Sequence, residues 1–210
     1  RRVTAPLVRV PEGTVIDATI VNTLDAPLTV HGWCTRGAAA CAPLTVAPGA
    51  SGRARFASGP AGVSHYWATS LGAPVPFREM AGAFVVDPAG LAPAPDRVLV
   101  ITEWSGLSAD DLREVMTADV PTETFIRKQP PVAFMVNGLS WPATERLAAR
   151  VGVPERWHVV NLSSQPHPMH LHGFYFDVER RGDGRSDRAL TAPVPHVVTE
   201  LVPPAATMTM

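Results

Sequence analysis

The apolar positions of the chain fall in short segments, each closed by proline, glycine or a polar turn, and the period is that of strands rather than of helices. Segments 7–10, 14–22, 28–31, 51–56, 64–69 and 82–86 are predicted as strands, bounded by PEG, APG, SGPAG and DPAG. RVLVITEW, residues 97–104, reads as a buried strand, and AFMVNG, RLAARV, RWHVVN, HLHGFYFDVE, HVVTEL and ATMTM continue the series to the end. One short helix is expected over 108–116, where Ser108 offers an N-cap followed by acidic residues in the first turn. The Pro/Ala stretch GLAPAPD, residues 90–96, reads as a linker between units 1–89 and 97–210. Residues 180–188 are polar and contain glycine, so a loop is expected there.

Twenty-two prolines and 16 glycines support the all-β reading, since both residues interrupt helices and serve turns. The two halves are also related. Shifted by 139 positions, residues 13–33 lie over 152–172 without a gap and pair Gly13 with Gly152, Val21 with Val160, Asn22 with Asn161, Pro27 with Pro166 and His31 with His170. The expectation is two Greek-key β-sandwiches side by side, with His31 and His170 facing each other across the boundary or across to a neighbouring chain.

Charge removes several classes of function. Eighteen basic and 19 acidic residues leave a formal charge of −1, which argues against electrostatic capture of nucleic acid or of a membrane surface. No apolar run reaches the ~18 residues of a membrane span, and no signal-peptide pattern is present. GxSxG, P-loop, dinucleotide and HExxH patterns are absent, so hydrolase and nucleotide chemistry lack support. Cys34 and Cys41 are near enough to bridge one loop, and equally could be two free thiols.

The chemistry is concentrated in HPMHLHG, residues 167–173, which holds three of the seven histidines. With 169–176 extended, His170 and His172 leave the same strand face and form a two-nitrogen site. His167 sits between Pro166 and Pro168, on a bend expected to aim it elsewhere. Imidazole is the usual nitrogen ligand of copper, zinc, iron and nickel. His158 is expected to be a partly buried strand residue, His196 a solvated loop residue, and Met135, Met208 and Met210 core residues. Glu103 and Trp104 suggest no acid or base role.

HPMHLHG, preceded by RWHVVNLSSQP and followed by FYFDVE, resembles the copper-ligand segment of the last cupredoxin domain in multicopper oxidases, the laccase-like family; PLVRVPEGTVIDATIVNTLDAPLTVHG, residues 6–32, is similar to the family's first domain. The resemblance implies two cupredoxin-like domains, the second incomplete at its C-terminus, in a fragment of a longer polypeptide that would supply the histidine-cysteine-histidine strand. It implies copper as cofactor, with His167 on a type 1 copper and His170, His172 and His31 in a type 2/type 3 cluster. His65 is a weaker candidate for that cluster, more simply read as an interdomain or surface histidine. The resemblance also implies an extracellular or periplasmic setting, in which Cys34 and Cys41 would be bridged.

Where the family's first domain carries two His-x-His pairs, this chain has His31 with Trp33, and Trp67 with Thr69. Three readings follow. The first is an oxidoreductase that oxidises phenols, aromatics or a metal ion and reduces dioxygen. The second is a copper electron-transfer or copper-handling protein without a complete trinuclear cluster, and the third is a copper-free interaction scaffold. The expected partners are a small-molecule reductant and dioxygen, with a homo-oligomer sharing the copper site between subunits as a further expectation.

Overall fold

The computed structural model describes residues 4–70, 80–92, 95–106, 108, 110–111 and 132–210, and apart from a helical turn at Asp110 its regular structure is all β. The first half supplies β1 (Val8–Pro11), β2 (Val15–Val21), β3 (Leu28–His31), β4 (Leu44–Val46), β5 (Ser51–Ala57), β6 (Gly62–Thr69) and β7 (Gly82–Asp87). β1, β7, β6, β3 and β4 form one sheet in that order, and β2 pairs with β5 in a second. The other half supplies β8 (Arg97–Ser105), β9 (Val132–Val136), β10 (Trp157–Asn161), β11 (His167–His170), β12 (Phe176–Asp177), β13 (Arg180–Gly182), β14 (Asp187–Ala189), β15 (His196–Val197), β16 (Thr199–Val202) and β17 (Thr207–Thr209). A six-stranded sheet runs β14-β13-β17-β10-β8-β9, beside the pairs β11–β16 and β12–β15. Among the described strands, every ladder stays on one side of residues 90–96.

β6 shows how the halves meet. Its even residues join their own half, where Tyr66 packs with Phe84 and Val86 against Ile16 and Phe56. Its odd residues face the second half, where Val63 and Trp67 join Ala83, Val85, Val100, Val160 and Leu162 in one buried cluster. A strand apolar on both faces is what burial on both sides selects. Arg36 and Asp187 add a buried ion pair of 2.7 Å across the seam, each side chain 2% exposed. Gly62 lies against that pair, where a Cβ would stand 2.0 Å from the Asp187 carboxylate.

The internal repeat is repeated in three dimensions. Gly13 and Gly152 both have positive φ, 86° and 79°. Asn22 donates to the carbonyls of Ala26 and Val46 and accepts from Leu24 N–H; Asn161 donates to those of Gln165 and Val202 and accepts from Ser163 N–H. Leu28 pairs with Val46 and His167 with Val202. Val21 pairs with Ser51 and Val160 with Thr207. The shift is thus 139 positions as far as β3 and β11 and 156 positions from β4 and β16 onwards.

Several expectations are corrected. RLAARV forms no strand, because β10 already has β8 and β17 on its two edges and the segment is instead held by Arg97, which bonds the Ala148 carbonyl at 2.5 Å. Residues 180–188 are not a plain loop: β13 fills the free edge of β17 and turns back into β14. His196 lies on β15 rather than in a loop, remains exposed, and bonds Asp177 at 2.7 Å. The expected helix over 108–116 begins with a reciprocal cap, Asp111 N–H to Ser108 Oγ and Ser108 N–H to the Asp111 carboxylate. Its remainder lies outside the described residues.

Candidate metal centre

HPMHLHG does not form one continuous strand. β11 covers His167–His170, and the chain turns at His172 and Gly173 before β12. The bend expected at His167 is therefore absent, and so is the strand placing His170 and His172 on one face. His167 and His170 nevertheless point apart. Positions three apart on a strand lie on opposite faces, and His167 is half-buried where His170 is exposed. The turn then returns His172 to His170, their rings meeting edge to face with centroids 4.7 Å apart.

Each imidazole on β11 has one nitrogen engaged. His167 Nε2 lies 2.7 Å from Ser163 Oγ, and its ring meets Phe134 edge-on at 4.9 Å. His170 Nδ1 lies 2.6 Å from Thr199 Oγ1 on β16, the strand paired with β11. Burial lowers the His167 pKa below its usual value, opposed by the charge of Glu103. Glu103 is buried and accepts from both Ser164 N–H and Ser164 Oγ, which braces the turn between β10 and β11.

The first-half candidates gather elsewhere. His31 ends β3 and lies flat on Trp67, centroids 3.8 Å apart, with its pKa lowered by burial. It lines a cavity of about 220 Å³ at the seam with His65, Trp67 and the cysteine loop, opposite Asp183, Gly184 and Arg185 of the second half. His65 packs against the second half of the chain. Its Nε2 is 3.0 Å from the Ala205 carbonyl, its backbone N–H bonds Gly184 O, and desolvation lowers its pKa. Cys34 and Cys41 are joined, with Cα atoms 5.8 Å apart, so neither is a thiolate ligand. His158 is buried between Thr209 and Asp96, as a structural residue would be.

The structure therefore brings His170 to His172, and His31 to His65 and Trp67, without merging the two groups. Among the described residues, no three His, Cys, Asp or Glu side chains meet as a metal-holding group. The donor set nonetheless suits copper on the β11 side. Imidazoles whose second nitrogen is already hydrogen-bonded are the form in which histidine ligates metals. Ser163 and Thr199 escaped the sequence reading, which noted Glu103 without giving it this bracing role. Comparing the two halves could have found the first, because residue 24 is leucine where residue 163 is serine.

The sequence model of the family described as multicopper oxidase matches residues 111–210. A rice protein (Oryza sativa subsp. japonica) named "Putative laccase-9" is 39% identical over 80 residues, 36% of this chain and 13% of the rice protein. The blue copper oxidase of Nitrosomonas europaea superposes with a TM-score of 0.71 at 20% identity, over 99% of this chain and 65% of that one. The multicopper oxidase mgLAC superposes with a TM-score of 0.68 at 22% identity, over 97% and 64%. The chain thus spans less than two thirds of these relatives. Residues 111–210 thus match the multicopper oxidase family model, and the chain as a whole shares the cupredoxin-like fold of these solved structures.

Proposed function

We propose that the chain is part of a copper-binding oxidoreductase, with cupredoxin-like units 1–89 and 97–210 joined by residues 90–96. The observation that carries this reading is the placing of His167 and His170 on opposite faces of β11, with His172 returned against His170. Copper bound on the two faces would supply one-electron chemistry, taking electrons from a phenolic, aromatic or metal-ion reductant and delivering four to dioxygen. The chain's own contribution is positional. Pro168 and Met169 alone separate the two ligand positions, so the covalent path between them is short, and β16 holds it in register. Phe134 covers one edge of His167.

His170 and His172 are exposed and await further ligands, which a second copy of the chain could bring in a homo-oligomer. The disulfide suits an extracellular or periplasmic setting. No helix among the described residues is long and apolar enough to cross a membrane.

A second reading is favoured by Trp67, which with Thr69 stands at the sequence positions of the family's second His-x-His pair and stacks on His31 instead of supplying an imidazole. Under it the protein carries electrons or copper without reducing oxygen. Copper content and oxygen uptake, measured on the protein with a phenolic reductant, separate the two. On the first reading, His170→Ala and His172→Ala lower copper content and abolish oxygen uptake, and His167→Ala halts oxidation of the reductant. On the second, a single copper is lost in His167→Ala alone and wild type consumes no oxygen. Wild type that binds no copper ends both.

A further inference from the structure

The hydrogen bonds around Ser163 assign the proton on His167. Asn161 Nδ2 donates to three carbonyls, those of Gln165, Val202 and Pro203, so the amide cannot be turned round and its Oδ1 is an acceptor. Ser163 Oγ stands 2.8 Å from that Oδ1 and 3.0 Å from the Gln165 carbonyl. Both neighbours can only accept, and the hydroxyl has one proton, which must point at them. Its lone pairs then receive Gln165 N–H, at 3.3 Å, and the remaining neighbour, His167 Nε2 at 2.7 Å. Were the hydroxyl to donate to Nε2 instead, Asn161 Oδ1 and Ser163 Oγ would be two oxygens 2.8 Å apart with no hydrogen between them.

The other half of the molecule is an internal control. Asn22 makes the same turn, with the same bonds to the residues two and four positions on, and needs no hydroxyl to do so. The counterparts of Ser163 and His167 there are Leu24 and Leu28. The serine occurs where the histidine occurs and is dispensable to the turn itself.

We propose that Ser163 is a positioning residue that holds neutral His167 as its Nε2–H tautomer, so that Nδ1 is the nitrogen presented to metal. The tautomer rests on the hydrogen-bond network alone; its use rests on the copper reading above. Ligating imidazoles are oriented through their second nitrogen, and loss of such a partner typically weakens metal binding about 10- to 100-fold.

Long-range proton–nitrogen correlation spectra of the metal-free protein, at a pH where His167 is neutral, read the tautomer directly. Wild type should show a protonated Nε2 and a bare Nδ1, and Cu(I) should shift Nδ1 while the Nε2 proton stays. In Ser163→Ala, where Asn161 Oδ1 keeps its bond to the residue 163 N–H, the two tautomers should mix and Cu(I) affinity should fall by about ten-fold or more. His167→Ala reports the affinity without this ligand. A protonated Nδ1 in wild type overturns the proposal, as does equal Cu(I) affinity of wild type and Ser163→Ala when His167→Ala binds more weakly than both. If the tautomer is as stated and His167→Ala binds Cu(I) like wild type, the copper reading fails at this residue and Ser163 retains only the tautomer.

Discussion

His31 lies flat on Trp67, ring centroids 3.8 Å apart and planes 9° from parallel. The indole also belongs to the buried cluster shared by the two halves. It therefore joins the packing of the seam to the environment of the first-half imidazole.

Trp67→Ala should be among the costliest substitutions in the chain, destabilising it by about 3–5 kcal/mol, the range for truncating a large buried aromatic. Urea unfolding monitored by circular dichroism gives the figure. A midpoint unchanged from wild type would mean that the cluster does not hold the halves together.

Gly184→Ala should damage the same seam from the opposite side. Its φ is +86°, and a Cβ there would stand 2.0 Å from His65 Nε2 and 2.4 Å from the Ala205 carbonyl. Overpacking of this kind costs about 1–3 kcal/mol, with the left-handed backbone adding to it. Gly90→Ala, also at positive φ but with open space around its Cβ, separates the backbone cost from the clash. Equal losses in the two variants would remove the clash from the account.

Acid should loosen the seam. Burial lowers the His65 pKa below the unfolded value of 6.5, so as pH falls through that value the unfolded chain takes up a proton that the folded chain refuses. Stability contributed by the neutral ring is thus present above about pH 7 and declines below it. His158 and His167 are shifted in the same direction, chiefly by burial. Melting temperature should fall between about pH 7 and pH 5, and His65→Gln, which keeps a donor for Ala205, should flatten the fall without abolishing it. An identical slope in that variant would show that His65 carries none of it.

Thiol titration of the denatured, unreduced protein should find no reactive cysteine, because Cys34 and Cys41 are bonded. Reduction should cost about 2–3 kcal/mol, the chain-entropy value for a loop this short. Two free thiols would refute the bridge.

Much of the fold was legible because strand period and turn residues agree along the first half; β3 has the expected bounds, and β2, β5, β6 and β7 differ from the sequence expectation by a residue or two at their ends. What escaped was pairing. RLAARV has a strand-like composition but joins no sheet, since both edges of the neighbouring β10 are taken, whereas the polar stretch 180–188 becomes a hairpin because β17 offers an edge. His167 was read as lying on a bend, since flanking prolines suggest one, yet Pro168 faces Leu201 within the β11–β16 pair. The histidines themselves were visible at once. Their orienting hydroxyls were not, because Thr199 lies 29 positions from His170 and meets it only through strand pairing.

The two shifts of the internal repeat, 139 positions before the histidine-bearing strand and 156 after it, mean that the whole difference in length between the matched segments falls in one connection. In the first half that connection is the disulfide loop; in the second it is the stretch from Leu171 to Val198, which carries Phe174, Tyr175 and the hairpin against Arg36. The scaffold thus behaves as a fixed socket with an exchangeable fitting. The socket of the first half stands unwired, with Leu24, Leu28 and Pro43 at the places where the second half has Ser163, His167 and Thr199. New chemistry could be installed there by changing side chains, with the strand register left as it is.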